Sequence, residues 1–179
     1  MPDFDRLSEM AAECGFTHSG PMDVSKLEFL QEVRDMCAAD KCNRYDKSWA
    51  CPPACGSLEE MRERVKGYTA GFLVQTVGEL EDSYDWEGIQ DAAKRQGESY
   101  GKMWDRLEDE NISVFAMGTG GCSKCEACSY PDAPCRFPER MAASMEACGL
   151  FVSKVCTDNN LAYNYGPDKI AFTACFLLS

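Results

Sequence analysis

The chain has 179 residues, 45% hydrophobic and 27% charged. That is the composition of an ordinary soluble globular protein, long enough for one domain with its own core and short for two. The formal net charge of −12 repels a phosphate backbone, and no basic stretch with interleaved aromatics offsets it, so nucleic acid and an anionic membrane surface are both disfavoured as partners.

The elements read as follows. Residues 3–14 form a short helix with Phe4, Leu7 and Met10/Ala11 on one face, stopped by Gly15. A short strand over 16–22 leads to a helix from about Ser25 to Ala39, with Leu27, Leu30, Val33 and Cys37 at helical spacing. A cysteine loop over 40–56 has no steady period. Ser57-Leu58-Glu59-Glu60 is a capping box that opens a helix to about Lys66. Residues 70–77 read as a buried strand. Residues 84–110 form a long helix with Trp86, Ile89, Ala93, Tyr100, Met103 and Leu107 along one side. Ile112 to Met117 is a strand that runs into Gly118-Thr119-Gly120-Gly121 and a second cysteine loop. Pro138 and Gly149 suit the start and end of another helix. A helix over 150–158 follows, and the chain closes on a strand from Ile170 to Leu178. Strands alternating with helices predict a single α/β domain over residues 1–179, with a mainly parallel sheet, helices around it and two cysteine-rich metal-binding loops. The second loop would then sit at the carboxyl end of a strand, where open α/β sheets gather their sites.

The twelve cysteines are the dominant chemical signal. A disulfide framework suits a secreted chain. The start Met1-Pro2-Asp3-Phe4-Asp5-Arg6 has neither the basic nor the apolar region of a secretory signal. No run approaches the ~18 apolar residues of a membrane span. The expectation is a cytoplasmic protein whose clustered cysteines serve metal or redox chemistry.

Cys122, Cys125 and Cys128 make a C-x2-C-x2-C triplet, with Cys135 seven residues on. Such a triplet wraps one face of a [4Fe–4S] cube, each thiolate reaching a different iron, and a fourth cysteine completes the set. Structural zinc more naturally uses two separated C-x2-C pairs. Backbone N–H groups of the preceding glycines can point at cluster sulfurs, whereas the G-x-G-x-x-G spacing of a nucleotide loop is missing. Cys37, Cys42, Cys51 and Cys55 form a less regular group that suits a second cluster or a zinc site. Cys51-Pro52 resembles the pair that carries the remote ligand in bacterial two-cluster ferredoxins, so Cys51 and Cys135 are candidates for exchange between sites.

At these residues the chain resembles a known family. Cys42-Asn43-Arg44-Tyr45-Asp46-Lys47-Ser48-Trp49-Ala50-Cys51-Pro52-Pro53, Gly120-Gly121-Cys122-Ser123-Lys124-Cys125-Glu126-Ala127-Cys128, Pro134-Cys135-Arg136-Phe137-Pro138-Glu139 and Ser144-Met145-Glu146-Ala147-Cys148-Gly149 look like domain-of-unknown-function family 2284. The resemblance runs from about Cys37 to the C-terminus and implies a metal-binding protein, without a settled substrate or reaction.

Cys14, Cys148, Cys156 and Cys175 lie on predicted helices or a strand, which points to core packing. His18 is the only histidine, too few for a multi-histidine metal site or a Ser–His machine. Arg136 and Arg140 flank the last ligand and suit either an anion or surface pairing with Glu139 and Glu146. The first functional expectation is an iron–sulfur protein with two [4Fe–4S] clusters that passes electrons to or from a redox partner. The second is a reductase that takes a small-molecule substrate at one cluster or in an adjoining pocket. A zinc-stabilised interaction module is the third, and the triplet spacing fits it poorly.

Overall fold

A computed structural model describes residues 2–179. Its helices are α1 (Phe4–Cys14), α2 (Gln31–Ala38), α3 (Leu58–Val65), α4 (Trp86–Asp109) and α5 (Val152–Asp158). The strands are β1 (His18–Met22), β2 (Ala70–Glu79), β3 (Val114–Met117) and β4 (Lys169–Leu178).

Helix ends follow local chemistry. The Asp3 side chain accepts from the N–H groups of Asp5 and Arg6 at the start of α1, and Gly15 ends it at φ 106°, a left-handed conformation that glycine adopts without steric cost. Asp85 accepts from Gly88 N–H at 2.8 Å to open α4. The Ser57/Glu60 capping box is present in full at the start of α3. Two expected helices are shorter. The segment from Ser25 breaks into a 3₁₀ turn, Val24–Lys26, and α2. Phe29 between them bridges to Leu150 instead, so tertiary pairing overrides the helical spacing. The expected helix from Pro138 to Gly149 is only a 3₁₀ turn, Pro138–Arg140, followed by extended and turn residues. There Gly118 N–H donates to Ala143 O and Met145 N–H donates to Gly118 O, so the backbone is committed to the glycine turn.

The expectation of a mainly parallel sheet is wrong. The four strands lie in the order β1-β2-β4-β3, and every neighbouring pair is antiparallel. The reason is where the last strand goes. β2 and β3 run in the same direction, as two strands joined by a helix do, but β4 inserts between them and opposes both. It pairs with β2 over ten residues, from Ala70↔Leu178 to Glu79↔Lys169. Alternating strands and helices reveal the crossover and say nothing of a strand that later fills the gap.

The sheet is covered on both faces. Phe72, Val74, Ala116, Ala174, Phe176 and Leu178 face a core closed by α1 and α4 through Leu7, Met10, Met103 and Leu107. Leu73, Phe115, Met117, Cys175 and Leu177 face a second core with Met61, Met145, Cys148, Leu150, Val155 and Cys156. Along α4 the buried residues include Ala92, Gln96, Ser99, Tyr100, Met103 and Leu107. Trp86, expected on that face, is 65% exposed. The cysteine loops belong to the second layer, where irregular chain rather than helix covers most of the sheet.

Candidate metal centre

The first loop is shaped by residues that tolerate left-handed backbone. Asp40, Asn43 and Asp46 have φ of 50°, 55° and 54°, a region that Asn and Asp enter more readily than other side-chain-bearing residues. Asp40 also accepts from Tyr45 N–H at 2.9 Å, which closes the turn. The second loop leaves β3 through Gly118–Gly121. Gly120 has φ 66°, and a Cβ on Gly121 would lie 2.6 Å from Arg44 Nη1. Glycine is needed there so that the two loops can close on each other.

The loops do meet. Trp49 Nε1 donates to Ala133 O at 3.0 Å, and the Trp49 and Tyr130 rings pack edge to face with centroids 4.9 Å apart. The Tyr130 hydroxyl donates to Asp46. Between them lies a cavity of about 410 Å³. Five cysteines line it: Cys122, Cys125, Cys128 and Cys135 from the second loop and Cys42 from the first. Arg44, Lys47, Lys124 and Arg136 border the same space and offset negative charge gathered there.

The remaining cysteines of the first group lie deeper. Cys51 and Cys55 of the loop are buried, and Cys37, near the end of α2, is half-buried. Cys51 lies within electrostatic range of Cys37 and Cys42, and Cys55 within range of Cys37 and Cys51. Cys42 is their junction with the cavity, a position that the spacing did not single out. Cys55 faces the core and donates to Ala147 O at 3.5 Å. Among the described residues no three His, Cys, Asp or Glu side chains converge on a point where one metal ion would sit. The cavity cysteines surround a volume instead.

Burial pushes the Cys55 thiol up to about 11, with Arg34 pulling the other way. Burial likewise raises Cys37 and Cys51. At Cys128 burial is outweighed by the backbone N–H groups of Trp49 and Tyr130, the Ser48 hydroxyl and Arg136, and its thiol lies below the ordinary value. Trp49 and Ser48 belong to the first loop, so that loop acts on a thiol of the second. Neither residue has a sequence signature that would assign it this part.

All twelve cysteines are free thiols. Cys14, the last residue of α1, packs into the core between that helix and the sheet, and Cys148, Cys156 and Cys175 are buried in the other core. Arg140 is engaged elsewhere. It pairs with Asp105 and Glu108 on α4, each at 2.5 Å, and lies over Trp104, rather than with the expected Glu139 or Glu146. His18, on β1, packs against Tyr165 with ring centroids 4.6 Å apart and the rings tilted by 37°. No helix among the described residues is long and apolar enough to cross a membrane.

The donor set therefore suits a thiolate-bound metal group: five thiols around one cavity, cationic side chains at its border and a glycine turn that lets the chain close over it. No curated protein and no solved structure matches the chain. The model of one family, DUF2284, described as predicted metal-binding protein, matches residues 21–178, and the chain belongs to that family.

Proposed function

We propose that this protein carries two [4Fe–4S] clusters, one on Cys122, Cys125, Cys128 and Cys135 and one on Cys37, Cys42, Cys51 and Cys55, and passes electrons between redox partners. The observation that carries this reading is the cavity of about 410 Å³ ringed by five cysteines from both loops. A four-iron cube needs thiolates at separated corners rather than around one point. A cluster bound there supplies one-electron oxidation and reduction.

The chain's own residues serve that role in three ways. Arg44, Lys47, Lys124 and Arg136 stand at the border, where they offset thiolate charge, against the lowering of reduction potential by the net −12 of the whole chain. Backbone N–H groups and Ser48 favour the thiolate form of Cys128. Trp49 and Tyr130 pack together beside the cavity and limit water on that side. Cys42, counted in the first group, lines the cavity of the second-loop cysteines, which supports an arrangement with the two centres near each other. Free thiols throughout suit a reducing cytoplasm.

Protein purified without oxygen is expected to be brown, with iron and acid-labile sulfide near eight atoms each per chain by the two-cube stoichiometry. Stoichiometric zinc without sulfide overturns the reading. EPR of the fully reduced protein is expected to show spin–spin interaction between the centres. Two isolated signals would remove the relay.

A further inference from the structure

Arg34 joins the two ends of the first cysteine group. It lies on α2, three residues before Cys37, so the two share a stretch of helix surface. Its Nη2 donates to Gly56 O at 2.6 Å, and Gly56 directly follows Cys55. The side chain is thus tied to the helix of Cys37 at one end and to the backbone beside Cys55 at the other.

Arg34 is half-buried and forms no ion pair among the described residues. The carboxylates that line the same surface pocket are taken. Asp35 accepts from Gln31 at 2.9 Å, and Glu59 pairs with Arg62. The Arg34 Nε is enclosed by protein and has no hydrogen-bond partner among the described residues. A guanidinium withdrawn from water without an anion is costly, and folds keep one where an opposite charge stands within range. The cysteines supply that charge. Burial raises the thiols of Cys37, Cys55 and Cys148, and at each Arg34 is the first group that opposes it, while Glu146 acts the other way on Cys37 and Cys148. Cys51 is offset instead by Arg44, which borders the metal cavity. Neutral thiols do not balance a cation, whereas thiolates bound to a metal do.

We infer that Arg34 is the built-in counter-charge of the metal group held by Cys37, Cys42, Cys51 and Cys55, and that it raises the reduction potential of that centre. The inference rests on the two-cluster reading. Thiolate ligands leave such a centre with net negative charge, and the electron taken up on reduction adds to it. A fixed cation inside the fold stabilises the reduced form more than the oxidised one. This is an effect of charge at a distance and needs no contact between Nε and the metal group. Salt screens it less than the effect of the exposed Arg44, Lys47, Lys124 and Arg136.

The test uses the metal-loaded protein, titrated with dithionite in the presence of mediators and followed by EPR. At the wild-type midpoint of one centre, Arg34→Gln is expected to lower the ratio of reduced to oxidised centre roughly tenfold, as removal of one nearby charge in a partly buried site does. The other centre is expected to titrate as in wild type. Arg34→Lys keeps the charge and is expected to stay within about threefold of the wild-type ratio. Arg62→Gln removes a cation from the same surface pocket and is expected to shift neither centre. Iron is measured on every sample. Loss of one centre's iron from Arg34→Gln but not from Arg34→Lys also supports the inference, because the charge is then needed to hold the metal. Equal shifts or equal iron loss in the two Arg34 variants overturn it, since the Gly56 hydrogen bond would then be what matters. An unchanged potential in Arg34→Gln with full iron, a shift shared equally by both centres, or an equal shift in Arg62→Gln overturns it as well. Zinc without sulfide in the wild type overturns the two-cluster reading itself and is seen before any variant is made, whereas the other adverse outcomes overturn only the role of Arg34.

Discussion

The two cysteine groups offer four thiols each, and they differ in how deeply their thiols are set, although Cys42 of the first is exposed. Cys51 and Cys55 of the first loop are built into the interior, and Cys55 shares a core with Cys148 and Cys175. Cys122, Cys125 and Cys135 of the second are half-buried, and Cys128 is exposed. The same chemistry is therefore anchored by packing on one side and presented to solvent on the other. On the two-cluster reading, removing metal from the first group is expected to disturb the core, whereas removing it from the second is expected mainly to free a surface loop. The deeper centre is the one expected to survive a chelator longer.

The sharpest way to break this contrast is to delete one ligand. Cys125→Ser is expected to lose about half of the iron, on the two-cube reading, while the rest stays bound. The fold should persist, because Cys125 lies outside both cores. Full retention of iron would show that the triplet is not a ligand set, and complete loss would show that the two centres do not form independently. Metal analysis and far-UV circular dichroism on one sample decide it.

A buried cysteine outside the loops gives the converse. Cys175 on β4 is fully buried, and burial raises its thiol well above the ordinary value. Cys175→Ser places a hydroxyl in that core and is expected to cost about 1–3 kcal/mol in chemical denaturation, with iron unchanged. Lost iron would mean that Cys175 supports a centre directly.

The contact between the loops is a smaller lever. Trp49→Phe keeps a ring against Tyr130 but removes the donor to Ala133 O. A loss of about 0.5–1.5 kcal/mol is expected from one hydrogen bond. Iron of the second loop should leave faster to a chelator, since the loop is then held at one point fewer. An unchanged release rate would make the two loops independent.

Part of the fold is readable in the residues. The Ser57 cap and the extents of α1, α4 and β2 follow from spacing and capping chemistry that act within a few residues. What the sequence did not show is long-range. β4 inserts between β2 and β3, and no local pattern records which strand a C-terminal segment joins. Cys42 lines the cavity of the second-loop cysteines, and nearby Arg44 packs over Gly121, a contact across 77 positions that spacing does not encode. Gln96 sits on the buried face of α4, where the periodicity of apolar residues points past it to Ala93 and Tyr100. A polar residue at a core position breaks the pattern, and such breaks mark places where something other than packing sets the residue.

The smallest expected effect tests how the first loop is anchored at its far end. Two residues after Cys55, Ser57 caps α3, and the Ser57 N–H donates to the Glu60 carboxylate at 2.6 Å. Ser57→Ala is expected to cost about 1 kcal/mol without changing the iron content, because the cap fixes a helix and not a thiol. Its pH dependence has a definite sign. The hydrogen bond from the Ser57 backbone, then that from its side chain, lowers the Glu60 carboxyl below its ordinary 4.5. A carboxyl whose folded value is depressed adds stability above its unfolded value, and this stability is lost as pH falls through the folded one. The difference between wild type and Glu60→Gln is therefore expected to be constant above pH 5 and to shrink in more acid solution. If the difference instead grew as the pH fell, the carboxylate would not be the stabilising form. If iron were lost along with the cap, the anchoring of the first loop would depend on α3 rather than on the core around Cys55.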